Sequence, residues 1–137
     1  MTVLLIAALL AFDLAAVRNE PNLERRCELA LSHADGALKS ARQTYEADDL
    51  EKTKSALNEV GDAVELARES LVADGKDPRR NPKYFKRAEL AVRQLSRRLE
   101  SLRDLMNAAD RALVDSAIRR AGDVHDALIR DIMGKRR

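Results

Sequence analysis

Two stretches of the chain, residues 50–71 and 85–106, carry apolar or small residues at alternating spacings of three and four. The positions are Leu50, Thr53, Leu57, Val60, Val64, Ala67 and Leu71 in the first stretch, and Phe85, Ala88, Val92, Leu95, Leu99, Leu102 and Met106 in the second. This 3.5-residue period keeps one seam of a helix facing a partner helix, as in a coiled coil. Because the basic segment 74–82, which contains two prolines, lies between them, the sequence predicts a helical hairpin that folds back there.

A further helix is predicted before this hairpin. It begins at Asn19 or Asn22, since either side chain can cap a helix. The break at residues 47–49 ends it, and Asp48 with Glu51 three residues later has the form of a capping box for the next helix. Because the break is short, we expect the two helices that it joins to be antiparallel neighbours.

The second half of the chain has similar start and stop signals. Asn81 and Pro82 predict the start of the third helix, with Asn81 as its cap. Asn107 is expected to cap a last helix that runs to Met133 and stops at Gly134. The sequence therefore predicts an all-α fold, an up-down-up-down four-helix bundle. The alternative is a long three-helix bundle in which the third and fourth helices are joined end to end.

Composition limits what this bundle can contain. The 137 residues are enough for one domain, and because aromatic residues make up only 3% with no Trp, Leu and Ala must fill the core. The single cysteine, Cys27, excludes an intrachain disulfide. Its place on the seam of the first helix predicts a small buried hydrophobe rather than a reactive thiol.

Residues 1–16 form an apolar N-terminal segment. Its uncharged run Val3–Phe12 has the length of the apolar region of a signal peptide and is too short to span a membrane. Cleavage after Ala16 would leave residues 17–137 as a single bundle domain, exported to the periplasm or the medium. No Lys or Arg precedes the run, and the alternatives are an apolar first helix packed on the bundle, an uncleaved membrane anchor and a misassigned start.

Charge is distributed unevenly along the chain. Residues 22–75 contain 7 basic and 12 acidic side chains, whereas residues 76–103 contain 10 basic and 3 acidic ones. In one interpretation, the acidic half docks on the basic half within the molecule. In the other, a basic surface binds an anionic partner.

The predicted bundle brings the turn at residues 74–82 to the same end as the start of the first helix and the end of the last. We call the cations expected there the basic end: Arg25, Arg26, Lys76, Arg79, Arg80, Lys83, Lys86, Arg87, Arg130, Lys135, Arg136 and Arg137. The five candidate binding residues among them are Arg79, Arg80, Lys83, Lys86 and Arg87. An anionic envelope component or a partner protein is the expected ligand. If residues 1–16 stay attached, the basic end would face anionic lipid headgroups; alternatively, its charge only keeps the protein soluble.

Other functional classes have less support in the sequence. Nucleic acid is a weaker candidate, because Tyr84 is the one aromatic expected beside the basic end for base stacking and no DNA-binding motif occurs. No HExxH, CxxC or Gly-rich phosphate loop occurs either, so a non-enzymatic protein without a cofactor is expected. His33 and His125 fall at similar heights in the predicted bundle, and the alternative function is a metal-binding bundle that uses both. A homo-oligomer, in which copies of the chain associate through apolar seam residues that the bundle leaves uncovered, is a further alternative.

One short stretch, and the chain as a whole, resemble known groups of proteins. The pattern Ala41-x-x-x-Tyr45-x-x-Asp48-Asp49-Leu50-x-Lys52, followed by Ala56-Leu57, resembles the inter-helix turn of a tetratricopeptide repeat. The predicted helices are about twice as long as that family's and no 34-residue repeat recurs, so its peptide-binding function is not carried over. The chain also resembles uncharacterised exported helical proteins of bacteria, through Asp49-Leu50-Glu51-Lys52, Gly75-Lys76 and Pro82-Lys83-x-x-Lys86-Arg87-Ala88-Glu89. That resemblance implies export and no known activity.

Overall fold

Four long helices make up most of the computed structural model, which describes residues 14–134. They are α1 (Leu23–Glu46), α2 (Leu50–Ala73), α3 (Pro82–Leu105) and α4 (Ala112–Met133), and a short 3-10 helix, Ala108–Asp110, joins α3 to α4. Because α3 and α4 pack side by side, the three-helix alternative is wrong. The predicted all-α four-helix bundle is confirmed, with successive helices running in opposite directions.

The order of the helices around the bundle is α1, α2, α4, α3. α1 packs on α2 and α3, and α4 packs on the same two helices, so α2 and α3 face each other only across a diagonal. The eight residues 74–81 between them reach at most about 26 Å, whereas the diagonal between helices spaced about 10 Å apart is about 14 Å. The chain therefore reverses at the predicted turn, but the two arms of the predicted hairpin face α1 and α4 rather than each other.

Helix α1 starts as predicted, and α2 starts one residue later than the capping box would require. The side chain of Asn22 accepts a hydrogen bond from the backbone N–H of Arg25 at 3.0 Å. The cap of α2 is Asp49, which accepts from the N–H of Lys52 at 3.1 Å. Asp48 instead adopts a left-handed conformation with φ of 60°, because the chain must leave α1 and enter α2 within three residues.

The predicted caps of the second half are only partly confirmed. Helix α3 begins at Pro82, but the side chain of Asn81 makes no capping hydrogen bond. Helix α4 begins at Ala112 rather than directly after Asn107, because a 3-10 turn comes between them. Its end at Gly134, with φ of 66°, is as predicted.

Small and aliphatic side chains fill the core, as the composition requires. Every residue of the two predicted seams is buried except Leu50, which is 42% exposed at the start of α2. Cys27 is buried on the seam of α1, and this burial raises the pKa of its thiol to about 12. The thiol therefore stays protonated at neutral pH, in agreement with its predicted role as a small hydrophobe.

Arg120 of α4 links this helix to α2 at Gly61. Its Nε donates to Glu65 Oε2 at 2.8 Å, and its Nη2 donates to Glu65 Oε1 at 2.7 Å and to Asp62 Oδ1 at 2.5 Å. The guanidinium lies directly on Gly61, where a Cβ atom would overlap it. The sequence pattern does not explain a glycine in the interior of α2. The structure does, because any larger residue at position 61 would overlap the guanidinium of Arg120.

The chain just before α1 also belongs to the bundle. Residues 14–18 are helical, and Leu14 and Val17 are buried in the core. Residues 1–13, which include most of the predicted signal peptide, lie outside the described residues. Within residues 14–134, no helix combines the length and the apolar character needed to cross a bilayer.

Candidate functional site

The diagonal turn at residues 74–81 brings cations from several elements to one end of the bundle. Lys76 forms ion pairs with Glu24 in the first turn of α1 and with Asp74 at 3.7 Å. Arg79 lies against the end of α4, where a Cβ atom at Gly134 would overlap its side chain. These contacts join the turn to the start of α1 and to the end of α4, while residues 135–137 lie outside the described residues.

Tyr84, on the first turn of α3, lies among three of these cations. The Nζ atoms of Lys76 and Lys83 are 5.6 and 5.7 Å from the centroid of its ring, and the guanidinium carbon of Arg87 is 6.0 Å away. The ring is half-buried and packs against the core. A cation within about 6 Å of an aromatic ring is attracted by the negative face of that ring. The sequence shows Tyr84 between basic residues, but not that Lys76 reaches it from the preceding turn.

The five candidate binding residues differ in how far their charges are neutralised. Arg79 pairs with Asp77 at 3.6 Å, and Arg87 reaches Glu28 of α1 at 4.0 Å. In the described part of the chain, no carboxylate forms an ion pair with Arg80, Lys83 or Lys86, and all three side chains are exposed. These three cations are available to an external anion.

The start of α3 adds to the positive potential at this point. None of its first-turn residues is acidic, and Asn81 leaves the first backbone N–H groups without a side-chain cap. Such N–H groups and the helix dipole favour a negative charge nearby. The carboxylate of Asp77 stays ionised, because a hydrogen bond from the backbone N–H of Arg79 lowers its pKa.

Two other predicted members of the basic end are engaged in holding the chain before α1. Arg25 pairs with the carboxylate of Glu20 at 3.3 Å. Arg26 donates two hydrogen bonds to the backbone carbonyl of Glu20, at 2.9 and 2.7 Å. Both arginines therefore fix the entry to α1, and we do not count them among the available cations.

Along the sides of the bundle, ion pairs join neighbouring helices. Arg98 of α3 pairs with Asp35 of α1 and holds the pKa of that carboxyl below its usual value. Arg68 of α2 pairs with Asp131 of α4 at 3.1 Å. Arg120 lowers the pKa of Glu65 in the same way. Arg98–Asp35, like Arg87–Glu28, joins the basic segment 76–103 to the acidic segment 22–75, as the first interpretation expects, whereas the other two pairs join α2 to α4.

The two histidines belong to separate pairs. His33, whose side chain is 3% exposed, donates from Nε2 to Glu59 Oε2 of α2 at 2.8 Å. His125 donates from Nε2 to Glu89 Oε2 of α3 at 2.7 Å. Within residues 14–134, no three His, Cys, Asp or Glu side chains are grouped so that they could hold a metal ion. The described structure therefore gives the metal-binding alternative no further support.

Comparison with known proteins adds no family to this picture. No protein-family model matches the chain, and no curated protein matches it.

Proposed function

We propose that this protein is a non-enzymatic binding module that holds an anionic partner at its basic end. The observation that supports this most directly is that Arg80, Lys83 and Lys86, which are exposed and form no ion pair among residues 14–134, lie together within seven residues at one end of the bundle. Cations left without a partner at one place attract an anion there. Lys83 shares the ring of Tyr84 with Lys76 and Arg87, two further cations that are each paired with a carboxylate.

The chemistry of the site indicates the kind of partner. Arg80 offers a planar guanidinium that can bind a carboxylate or phosphate with two hydrogen bonds, and Lys83 and Lys86 add point charges beside it. All three side chains are exposed on the surface, which suits an extended anionic surface, such as an envelope component or an acidic face of a protein. Because the contacts are exposed, the binding should weaken strongly with salt.

The proposal is tested by reversing the three available charges in the full-length chain. The variant Arg80→Glu/Lys83→Glu/Lys86→Glu should lose binding to vesicles of phosphatidylglycerol and to polyphosphate in cosedimentation and titration experiments at low salt. Its far-ultraviolet circular dichroism should be unchanged, because these side chains are exposed and none pairs with a carboxylate of the described chain.

A matched control reverses three exposed cations elsewhere on the bundle. Lys54, Arg97 and Arg119 are exposed and, within the described residues, form no ion pair. Their reversal changes the net charge by the same amount and should leave most of the binding. An equal loss in both variants would mean that only net charge matters, and binding that survives the first triple reversal would refute the site.

We also propose that the protein is exported, and the support for this is the apolar run Val3–Phe12 before Ala16. N-terminal sequencing of the protein from its native source tests the proposal directly. A mature chain that begins at Val17 supports export. An uncleaved chain contradicts it and favours the alternative in which this segment stays on the bundle, to which the buried Leu14 belongs.

A further inference from the structure

Two large apolar side chains are exposed where α2 and α4 end. Val72 is the last but one residue of α2 and is 51% exposed, and Met133 is the last residue of α4 and is 59% exposed. One exposed apolar side chain is ordinary on a protein surface. These two, however, lie at the end of the bundle that also carries Arg80, Lys83 and Lys86, the cations available to an anion.

An ion pair between α2 and α4 sets the height of both side chains. Arg68 and Asp131 join the two helices at 3.1 Å. Val72 comes four residues after Arg68, about 6 Å further along α2. Met133 comes two residues after Asp131, about 3 Å further along α4. Both apolar side chains therefore lie beyond this ion pair, on the side of the basic end.

Cations stand directly beside the end of α4. Gly134, which follows Met133, lies against the side chain of Arg79 from the diagonal turn, since an added Cβ atom would overlap that side chain. Arg130, in the last turn of α4, is exposed and forms no ion pair within residues 14–134. The basic end therefore combines exposed apolar side chains with positive charge.

We infer that the basic end docks on the surface of an anionic lipid bilayer, with Val72 and Met133 entering the layer between the head groups and the acyl chains. This docking rests on the proposed function, since the bilayer is then the anionic partner of the same three available cations. A soluble polyanion pairs with the cations but leaves both apolar side chains in water. A bilayer presents negative head groups with an apolar layer directly beneath them, and so matches both features.

The opposite end of the bundle differs in charge, which gives the docking a direction. Leu50 at the start of α2 and Leu105 at the end of α3 are also exposed, by 42% and 60%. Beside them Asp48, Glu51 and Asp104 are exposed and form no ion pair among the described residues. An anionic bilayer repels these carboxylates, so the basic end is the one that faces it.

Tryptophan scanning in the full-length chain tests which end enters the bilayer. The chain contains no Trp, so a single introduced Trp reports its own surroundings. In Val72→Trp and in Met133→Trp, vesicles of phosphatidylglycerol at low salt should shift the emission to shorter wavelength, and brominated acyl chains should quench it. Leu105→Trp, at a position exposed as much as Met133, is the matched control and should show neither change. An equal response at position 105, or no response at positions 72 and 133, would overturn the inference.

Two further probes separate the bilayer from the wider class of anions. Polyphosphate should bind without shifting the emission of the introduced Trp, and vesicles of phosphatidylcholine, which carry no net charge, should bind at least about tenfold more weakly than phosphatidylglycerol. Equal binding to both kinds of vesicle would overturn the inference. If polyphosphate binds and phosphatidylglycerol vesicles do not, the bilayer is the wrong partner while the proposed function stands. If neither binds, both are wrong.

Removing the two apolar side chains tests the same contact without changing a charge. Val72→Ser/Met133→Ser should weaken binding to phosphatidylglycerol vesicles by about fivefold and change binding to polyphosphate by less than about twofold. Leu50→Ser/Leu105→Ser is the matched control and should leave both affinities unchanged. All four positions are exposed, so the circular dichroism of both variants should match the wild type. An equal loss of vesicle binding in the two variants would also refute the contact.

Discussion

Replacing Gly61 with alanine tests whether the guanidinium of Arg120 lies against Gly61 of α2, as described above. Alanine is favoured over glycine by about 1 kcal/mol in a helix interior, so the exchange stabilises a helix wherever the new Cβ has room. At Gly122 of α4 it has room, since no atom of the described chain beyond the local helix backbone lies within 4 Å of the added Cβ. At Gly61, the added Cβ overlaps the guanidinium of Arg120, which must move away from both of its carboxylates.

The magnitude follows from how exposed those carboxylates are. The side chains of Asp62 and Glu65 are 40% and 42% exposed, so solvent screens each ion pair to about 0.5–1 kcal/mol. Losing both pairs costs about 1–2 kcal/mol, which cancels or exceeds the gain from alanine. We therefore expect Gly61→Ala to lower the free energy of unfolding by about 0–1 kcal/mol and Gly122→Ala to raise it by about 1 kcal/mol.

The measurement is urea and thermal denaturation followed by circular dichroism. For a chain of this size, 1 kcal/mol corresponds to a change in Tm of roughly 3–5 °C. Repeating Gly61→Ala in an Arg120→Ala background should turn it into a stabilising change of about 1 kcal/mol, because the overlap is then gone. The reasoning is refuted if Gly61→Ala stabilises the wild-type protein as much as Gly122→Ala does, or if removing Arg120 leaves its effect unchanged.

Three further predictions concern stability. Asp48→Gly should stabilise the protein by about 0.5–1 kcal/mol in urea denaturation, because Asp48 has a positive φ. Asp49→Ala should lower the stability by about 1 kcal/mol, because the capping hydrogen bond at the start of α2 is lost. Ser96→Ala should stabilise it by about 1 kcal/mol, since the buried Ser96 Oγ has no hydrogen-bond partner among the described residues; destabilisation would reveal a partner. The pKa values of Asp35 and Glu65 are lowered in the folded state, so their contribution to stability is complete above about pH 5 and is lost as the pH falls through these lowered values. In thermal denaturation between pH 7 and 2, Arg98→Gln/Arg120→Gln should lose less stability on acidification than the wild type, and an equal loss would contradict the assignment.

The regular parts of the fold follow from local pattern, and the departures arise where neighbouring elements compete. The seams from Thr53 to Leu71 and from Phe85 to Met106 are buried as their period predicts, because the period reflects one face of one helix. Asp48 fails as a cap because α1 must first end, and a left-handed residue is needed there. The diagonal position of α2 and α3 depends on how all four helices pack, which a pattern within one helix does not encode.

The same distinction applies to the candidate site. The sequence predicts that Arg79, Arg80 and Lys83 lie at one end of the bundle, because the turn at residues 74–82 and the lengths of the helices determine which helix ends meet. It does not show which charges are neutralised, since that depends on carboxylates from other helices, such as Glu28 beside Arg87.

Residues 74–81 cross the end of the bundle diagonally. They link two antiparallel helix pairs, α1 with α2 and α3 with α4. If this segment were straightened, the second pair of one copy would fit onto the first pair of another with every core contact retained. Such a domain-swapped dimer would differ from the monomer in the conformation of the eight residues between Ala73 and Pro82. Deleting enough of them that the link no longer spans the diagonal should therefore convert the protein into a dimer without changing how its helices pack.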